Sequence, residues 1–275
     1  MKRLFACTLA LCAALSHQLQ AQRSELLLEK GWRFTRQDQA SFSTPDYNDS
    51  KWSRVTVPHD WAIYGPFSFE NDKQHLAIAQ DGQKEAMEHA GRTGGLPFVG
   101  VGWYRRSLDI PQDLGDRRVF LRFDGAMSHA RVYVNGKEVG YWPYGYNTFA
   151  FDVTPYVRPG ASNTLAVRLE NKHESSRWYP GAGLYRNVHL TITSPVYVPL
   201  WGTQIQTPTA KASHAYVDVR TRIAGMSSLA GRPLQVTTQL LSPAGKVVAQ
   251  CEEEIQSSSA EHLCHTGFEL QSPQL

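Results

Sequence analysis

Apolar and polar residues alternate along this chain in short runs. In residues 117–123, Val119, Leu121 and Phe123 fall on one side, and Arg118, Phe120 and Arg122 on the other. A period of two is that of a half-buried strand. The same alternation groups Leu165, Val167 and Leu169, and then Val188, Leu190 and Ile192. Further strands are expected over residues 26–34, 52–57, 104–110, 129–134, 137–141 and 149–153. Asn135-Gly136 separates two of them, and this dipeptide is the strongest short hairpin signal. Residues 42–49, with Pro45, Asp46 and Asn48, read as a polar loop. Residues 62–102 show no clear strand and read as a surface excursion, of the long kind that usually carries function. No run keeps a helical period over several turns; Leu76, Ala79 and Ala86 give only patchy spacing. Eight or nine short strands with turn residues between them predict an all-β chain, an antiparallel β-sandwich.

A boundary is expected at residues 194–199, where Pro195 and Pro199 make a short stiff connector. A second all-β stretch follows, with runs at 215–223, 234–241, 246–251 and 262–270 and one near Ile205. These are about five strands, and an immunoglobulin-like sandwich needs about seven. The second unit is therefore expected to be incomplete, with an exposed edge.

Composition narrows the picture. The chain has 275 residues, room for one large β domain or two of ordinary size. Net charge is only +3, and Lys and Arg are scattered without a basic block. Nucleic acid and anionic membrane surfaces are thus not expected partners. Lys2 and Arg3 precede an apolar stretch at 4–15 that is too short to span a bilayer. Residues 1–21 read as a signal peptide ending at Ala21, so the protein is expected to be exported, periplasmic or secreted. Leu11 argues against Cys12 as a lipoprotein cysteine. No later segment is apolar enough for a membrane helix. Of four cysteines, Cys7 and Cys12 fall in the signal. Cys251 and Cys264 remain, either as a disulfide or as two free thiols, and no metal spacing involves them.

The segment 171–190 concentrates the candidate chemistry. Arg177, Trp178 and Tyr179 precede Pro180-Gly181-Ala182-Gly183 in a loop between two strands. Two readings stand on these residues. The commoner is a packing corner that closes the end of a sandwich, because most aromatics are structural. The other is sugar recognition, with rings stacked on pyranose faces and Arg donating fixed hydrogen bonds. Earlier in the chain, His59 and Asp60 read as a turn brace rather than an acid–base pair, since adjacent residues in an extended turn point apart.

The run Arg177-Trp-Tyr-Pro-Gly-Ala-Gly-Leu-Tyr-Arg-Asn-Val188 resembles the closing signature of the N-terminal sugar-binding domain of family 2 glycoside hydrolases. That family includes β-galactosidases, β-glucuronidases and β-mannosidases. Six further motifs stand in the family's order: Gly31-Trp-Arg-Phe34, Val57-Pro-His-Asp-Trp61, Gly102-Trp-Tyr-Arg-Arg106, Phe123-Asp-Gly125, Val132-Tyr-Val-Asn-Gly136 and Gly145-Tyr-Asn-Thr-Phe149. Residues 91–104 resemble the β-galactosidase branch.

The resemblance implies a jelly-roll, galactose-binding-like sandwich over 22–195. It implies a truncated immunoglobulin-like sandwich over 196–275, with a (β/α)₈ barrel of the same polypeptide beyond it. A retaining glycosidase of this family places two glutamates about 5 Å apart on that barrel. No catalytic residue is therefore assigned here. Glu70, Glu85, Glu170 and Glu174 have the contexts of solvated loops or strand ends. The resemblance implies a substrate-rim role for Arg177 and Trp178, with Arg92 second, beside a non-reducing galactose. In some β-galactosidases an Asp in this loop helps bind sodium. Arg177 stands near that place, which counts against such a site. Asn171 and Glu174 are the nearest oxygen ligands, and neither metal nor cofactor is expected. The implied function is the non-catalytic front of an exported β-galactosidase acting on β-galactoside glycans. The alternatives are a free-standing carbohydrate-binding module and a fragment of a β-glucuronidase or β-mannosidase.

Overall fold

A computed structural model describes residues 22–68, 71, 74–75, 82, 84–85, 88–89, 98–173, 175–176, 178–256 and 259–273. The strands, in chain order, begin with β1 (Arg23–Leu27), β2 (Trp32–Thr35), β3 (Ser53–Val55), β4 (Gln74–His75), β5 (Glu88–His89) and β6 (Gly100–Asp109). Then come β7 (Arg118–Phe123), β8 (Ala130–Val134), β9 (Lys137–Trp142), β10 (Phe149–Asp152), β11 (Ser162–Asn171) and β12 (Val188–Thr193). The last five are β13 (Thr203–Ala210), β14 (His214–Ala224), β15 (Leu234–Leu241), β16 (Val247–Ile255) and β17 (Glu261–Gln271). The helical segments among the described residues are single 3₁₀ turns such as Ala40–Ser43. The chain is all-β, as its alternation predicts.

Two sheets form the first sandwich. One runs β1-β12-β7-β10 and the other β3-β2-β6-β11-β8-β9, all antiparallel. Their facing sides hold the main core. Val119, Leu121 and Phe123 of β7 are fully buried against Leu165, Val167 and Leu169 of β11. Each such side chain contributes about 1.5–3 kcal/mol of transfer free energy. Asn135 and Gly136 both take positive φ, so the expected hairpin between β8 and β9 is formed.

Three expectations need correction. Residues 62–102 are not without strands: β4 pairs with β5 inside the excursion, and β6 already begins at Gly100. Residues 26–34 are not one strand. The chain turns at Lys30-Gly31, with Gly31 at φ +85°, and β1 and β2 lie in different sheets. Apolar side chains continue through the turn because Leu28 is buried there. Residues 42–49 are not a plain polar loop. Phe42 is fully buried in a second cluster with Trp52, Trp103 and Ala166, so the excursion covers the outer face of the six-stranded sheet. Arg105 of β6 anchors it. Its guanidinium donates to Asp49 at 2.9 Å and to the carbonyls of Phe42 and Thr44.

Beyond Pro195, β13-β14-β17 and β15-β16 form two further sheets. Ile223, Ile255, Met226 and Cys264 pack between them with Leu234 and Val236. The two halves of the chain touch through Tyr197, whose ring lies 5.1 Å from that of Phe120. Cys251 and Cys264 are free thiols, one exposed and one buried. Burial pushes the Cys264 thiol up to about 11, and the neighbouring Glu253 carboxylate acts in the same sense. No helix among the described residues is long and apolar enough to cross a membrane.

Candidate functional site

Among the connections that cross between the sheets of the first sandwich are 124–129 after β7, 143–148 after β9, and 172–187 after β11. They meet at one end, where the turn 58–62 joins them. Met127 and Gly183 exchange two backbone hydrogen bonds of 2.9 Å. The Tyr185 hydroxyl donates to the Gly145 carbonyl at 2.9 Å, and Arg186 donates to that of Tyr146 at 3.1 Å.

Asp60 is the centre of this assembly. Its Oδ1 accepts from the backbone N–H of Ala62 at 2.9 Å and of Ala182 at 3.0 Å. Its Oδ2 accepts from the Tyr179 hydroxyl at 2.7 Å. One carboxylate thus holds its own turn and the far loop together. Backbone bonds reinforce it: His59 N–H donates to the Leu184 carbonyl at 2.7 Å, and Trp61 N–H to that of Ala182 at 3.1 Å. Burial, seconded by Asp60, raises the Tyr179 hydroxyl far above its ordinary range, so it stays a donor. Gly183 lies at φ +110°, and a Cβ there would fall 2.4 Å from the Tyr104 hydroxyl oxygen and 2.6 Å from the His59 carbonyl oxygen. Only glycine fits.

His59 packs its ring against Phe34 and sits 2.7 Å from the Tyr104 hydroxyl through Nδ1. Burial lowers its imidazole below the ordinary range, against the opposing influence of Asp60. His59 and Asp60 therefore serve as the expected brace. They do not contact each other as an acid–base pair.

The brace presents aromatics to solvent. Trp178 is 56% exposed, and so is Tyr144. The Trp178 indole N–H donates to the Tyr146 hydroxyl at 2.8 Å, and Tyr146 packs edge-on to Tyr144 with ring centres 5.5 Å apart. Of the expected substrate-rim residues, Trp178 is thus exposed and tied to Tyr146. Arg177 and Arg92 lie outside the described residues, as do Glu70 and Glu174. Glu170 pairs with Arg168 at 3.1 Å. Asn171 is buried and donates through Nδ2 to the Gly181 carbonyl at 3.3 Å; its Oδ1 has no partner among the described residues.

Sequence reasoning did not single out Tyr144 and Tyr146 as site residues, although the motif Gly145-Tyr-Asn was in view. It also missed a cleft of about 800 Å³ beside His59, lined by Arg33, Arg54, Thr56 and Tyr64. Arg33 and Arg54 stand directly opposite each other on β2 and β3, a pairing that only the register reveals.

The fold and this surface define an all-β protein of two successive sandwiches with a braced aromatic loop at one end of the first. Residues 27–195 match the family model for "Glycosyl hydrolases family 2, sugar binding domain". The chain belongs to glycosyl hydrolase family 2. It is 31% identical over 265 residues to Beta-galactosidase BoGH2A of Bacteroides ovatus, covering 96% of this chain and 29% of that protein. It is also 31% identical over 254 residues to a putative beta-glucuronidase of Formosa agariphila, covering 92% of this chain and 22% of that one. A crystal structure of a family 2 member from Bacteroides cellulosilyticus superposes with a TM-score of 0.81 at 30% identity, over 91% of this chain and 31% of that one. The chain therefore spans under a third of the length of these relatives.

Proposed function

We propose that this chain is the N-terminal, non-catalytic portion of an exported retaining glycosidase that acts on terminal β-galactosides. The observation that carries the reading is Trp178, exposed on a loop fixed by Asp60 and flanked by Tyr146 and Tyr144. An aromatic held outward on a rigid loop suits stacking against a sugar ring at the rim of a pocket. The acid/base and nucleophile are carried by a downstream barrel, which the share of the relatives' length supports. Residues 22–195 then form the sugar-binding sandwich and 196–275 the start of an immunoglobulin-like one. Arg177 and Arg92 are assigned hydroxyl hydrogen bonds to the sugar on the strength of the family resemblance alone. A β-glucuronidase is the second reading, favoured by a relative of equal identity that bears that name.

The test compares hydrolysis of chromogenic β-galactoside and β-glucuronide by the 275-residue chain and by a version extended through the downstream coding sequence. Activity on the galactoside by the extended protein alone supports the proposal, and Trp178→Ala then raises KM by about tenfold. Preference for the glucuronide selects the second reading. Activity of the short chain alone overturns both.

A further inference from the structure

The second sandwich carries three side chains of metal-ligating kind on its inner wall, Glu253, His262 and Cys264. Glu253 lies on β16, two residues from the buried Ile255 and on the same face. His262 and Cys264 are two apart on β17, so they share a face, and Ile223 of β14 sits opposite His262 in the register. β16 and β17 belong to the two sheets that face each other across this core. One ligand atom from each of Glu253, His262 and Cys264 lies within 4.8 Å of the other two. His262 Nε2 is 3.8 Å from Glu253 Oε1. No other group of three such residues comes together among the described residues.

Besides a side-chain hydrogen bond between Cys264 and Glu253, the trio holds only a weak ion pair. The His262 and Glu253 side chains are 35% and 41% exposed at 3.8 Å, a distance and exposure at which a pair contributes about 0–1 kcal/mol. The trio does match a metal centre in kind and in size. Thiolate, imidazole and carboxylate are the three common zinc ligands, and a thiol is foreign to calcium or magnesium sites. Tetrahedral zinc with bonds of about 2.0–2.3 Å has ligand-to-ligand edges of about 3.3–3.8 Å. The observed separations need to close by no more than about 1.5 Å, within reach of side-chain rotation.

We propose that Glu253, His262 and Cys264 bind one Zn²⁺ per chain, with water in the fourth position, and so clip the two facing sheets together. On binding, the Cys264 S–H bond breaks, its proton passes to solvent water, and an S–Zn bond forms in place of a zinc–water bond. His262 gives a ring-nitrogen lone pair and Glu253 a carboxylate oxygen. The two negative ligands balance the ion's charge, so the buried end of the site carries no net charge.

The test uses the purified 275-residue chain. Titration with Co²⁺ should produce thiolate-to-cobalt charge-transfer absorption in the near ultraviolet. Competition against a chromogenic chelator should give one Zn²⁺ per chain. Cys264→Ser should abolish the absorption and weaken zinc binding by about tenfold or more. Glu253→Gln, which leaves the buried thiol in place, should weaken binding comparably while circular dichroism stays unchanged. Cys251→Ser should leave both readouts intact. Absence of the charge-transfer band, or its equal loss in Cys251→Ser, overturns the site.

Discussion

Asp60 accepts three hydrogen bonds with two oxygens, and the donors have no other hydrogen-bond partners among the described residues. Asp60→Ala leaves two buried N–H groups and a phenol unpaired, each at about 1–3 kcal/mol before relaxation. Asp60→Asn keeps one oxygen for the two N–H groups and loses only the phenol's preferred acceptor. The expected result in urea denaturation is a loss of about 2–4 kcal/mol for Asp60→Ala and less than half of that for Asp60→Asn. Equal losses would mean that the brace is not the carboxylate. His59 adds a pH dependence. Its folded imidazole titrates below the unfolded one, which sits near about 6.5. As pH falls through about 6.5 the unfolded chain takes up the proton first, so stability declines, and the decline ends below the folded value. Stability measured from pH 7 to pH 5 should fall more steeply in the wild type than in His59→Gln. A matching slope in the variant would assign the effect elsewhere, for instance to His129, whose imidazole burial also lowers.

At the scale of elements, Arg105 does for the 40–52 excursion what Asp60 does for the loop. It is 2% exposed, paired with Asp49, and forked across several carbonyls. Arg105→Leu should cost about 3 kcal/mol and loosen the cover over Trp103. Arg105→Lys should recover little of it, because a point charge cannot reach the same fork. Limited proteolysis within 40–52 is the check, and resistance in both variants would refute the anchoring. Strands with strict alternation, such as β7 and β11, were legible from their sequence because a period of two names the buried face directly. The β1–β2 break was not, since apolar residues run on through the turn at Gly31. The loop's candidate role was readable from Trp178 and its neighbours. Its support was not, because Asp60 and Tyr179 are 119 residues apart. The trio at Glu253, His262 and Cys264 was hidden for the same reason, since strands of facing sheets leave no fixed spacing.

Over the whole molecule, large apolar side chains reach solvent in both halves. In the second, Ile205, Leu263, Leu241 and Val248 are each more than half exposed, and β13 is exposed along nearly all its length. Open strand edges with apolar side chains invite pairing between chains. The purified chain should therefore self-associate as concentration rises, and the double variant Leu241→Lys with Val248→Lys should reduce light scattering several-fold. Scattering that the double variant leaves unchanged would place the sticky surface elsewhere. In the first half, the brace at Asp60 has a consequence for engineering. The turn at Asp60 that holds the 172–187 loop was synthesised more than a hundred positions before it, so the loop is no self-contained cassette. Moving those residues alone onto another scaffold would transfer the side chains without their shape. A graft that worked would have to bring the His59–Asp60–Trp61 turn and the Tyr104 strand as well, which amounts to transplanting the end of the sandwich.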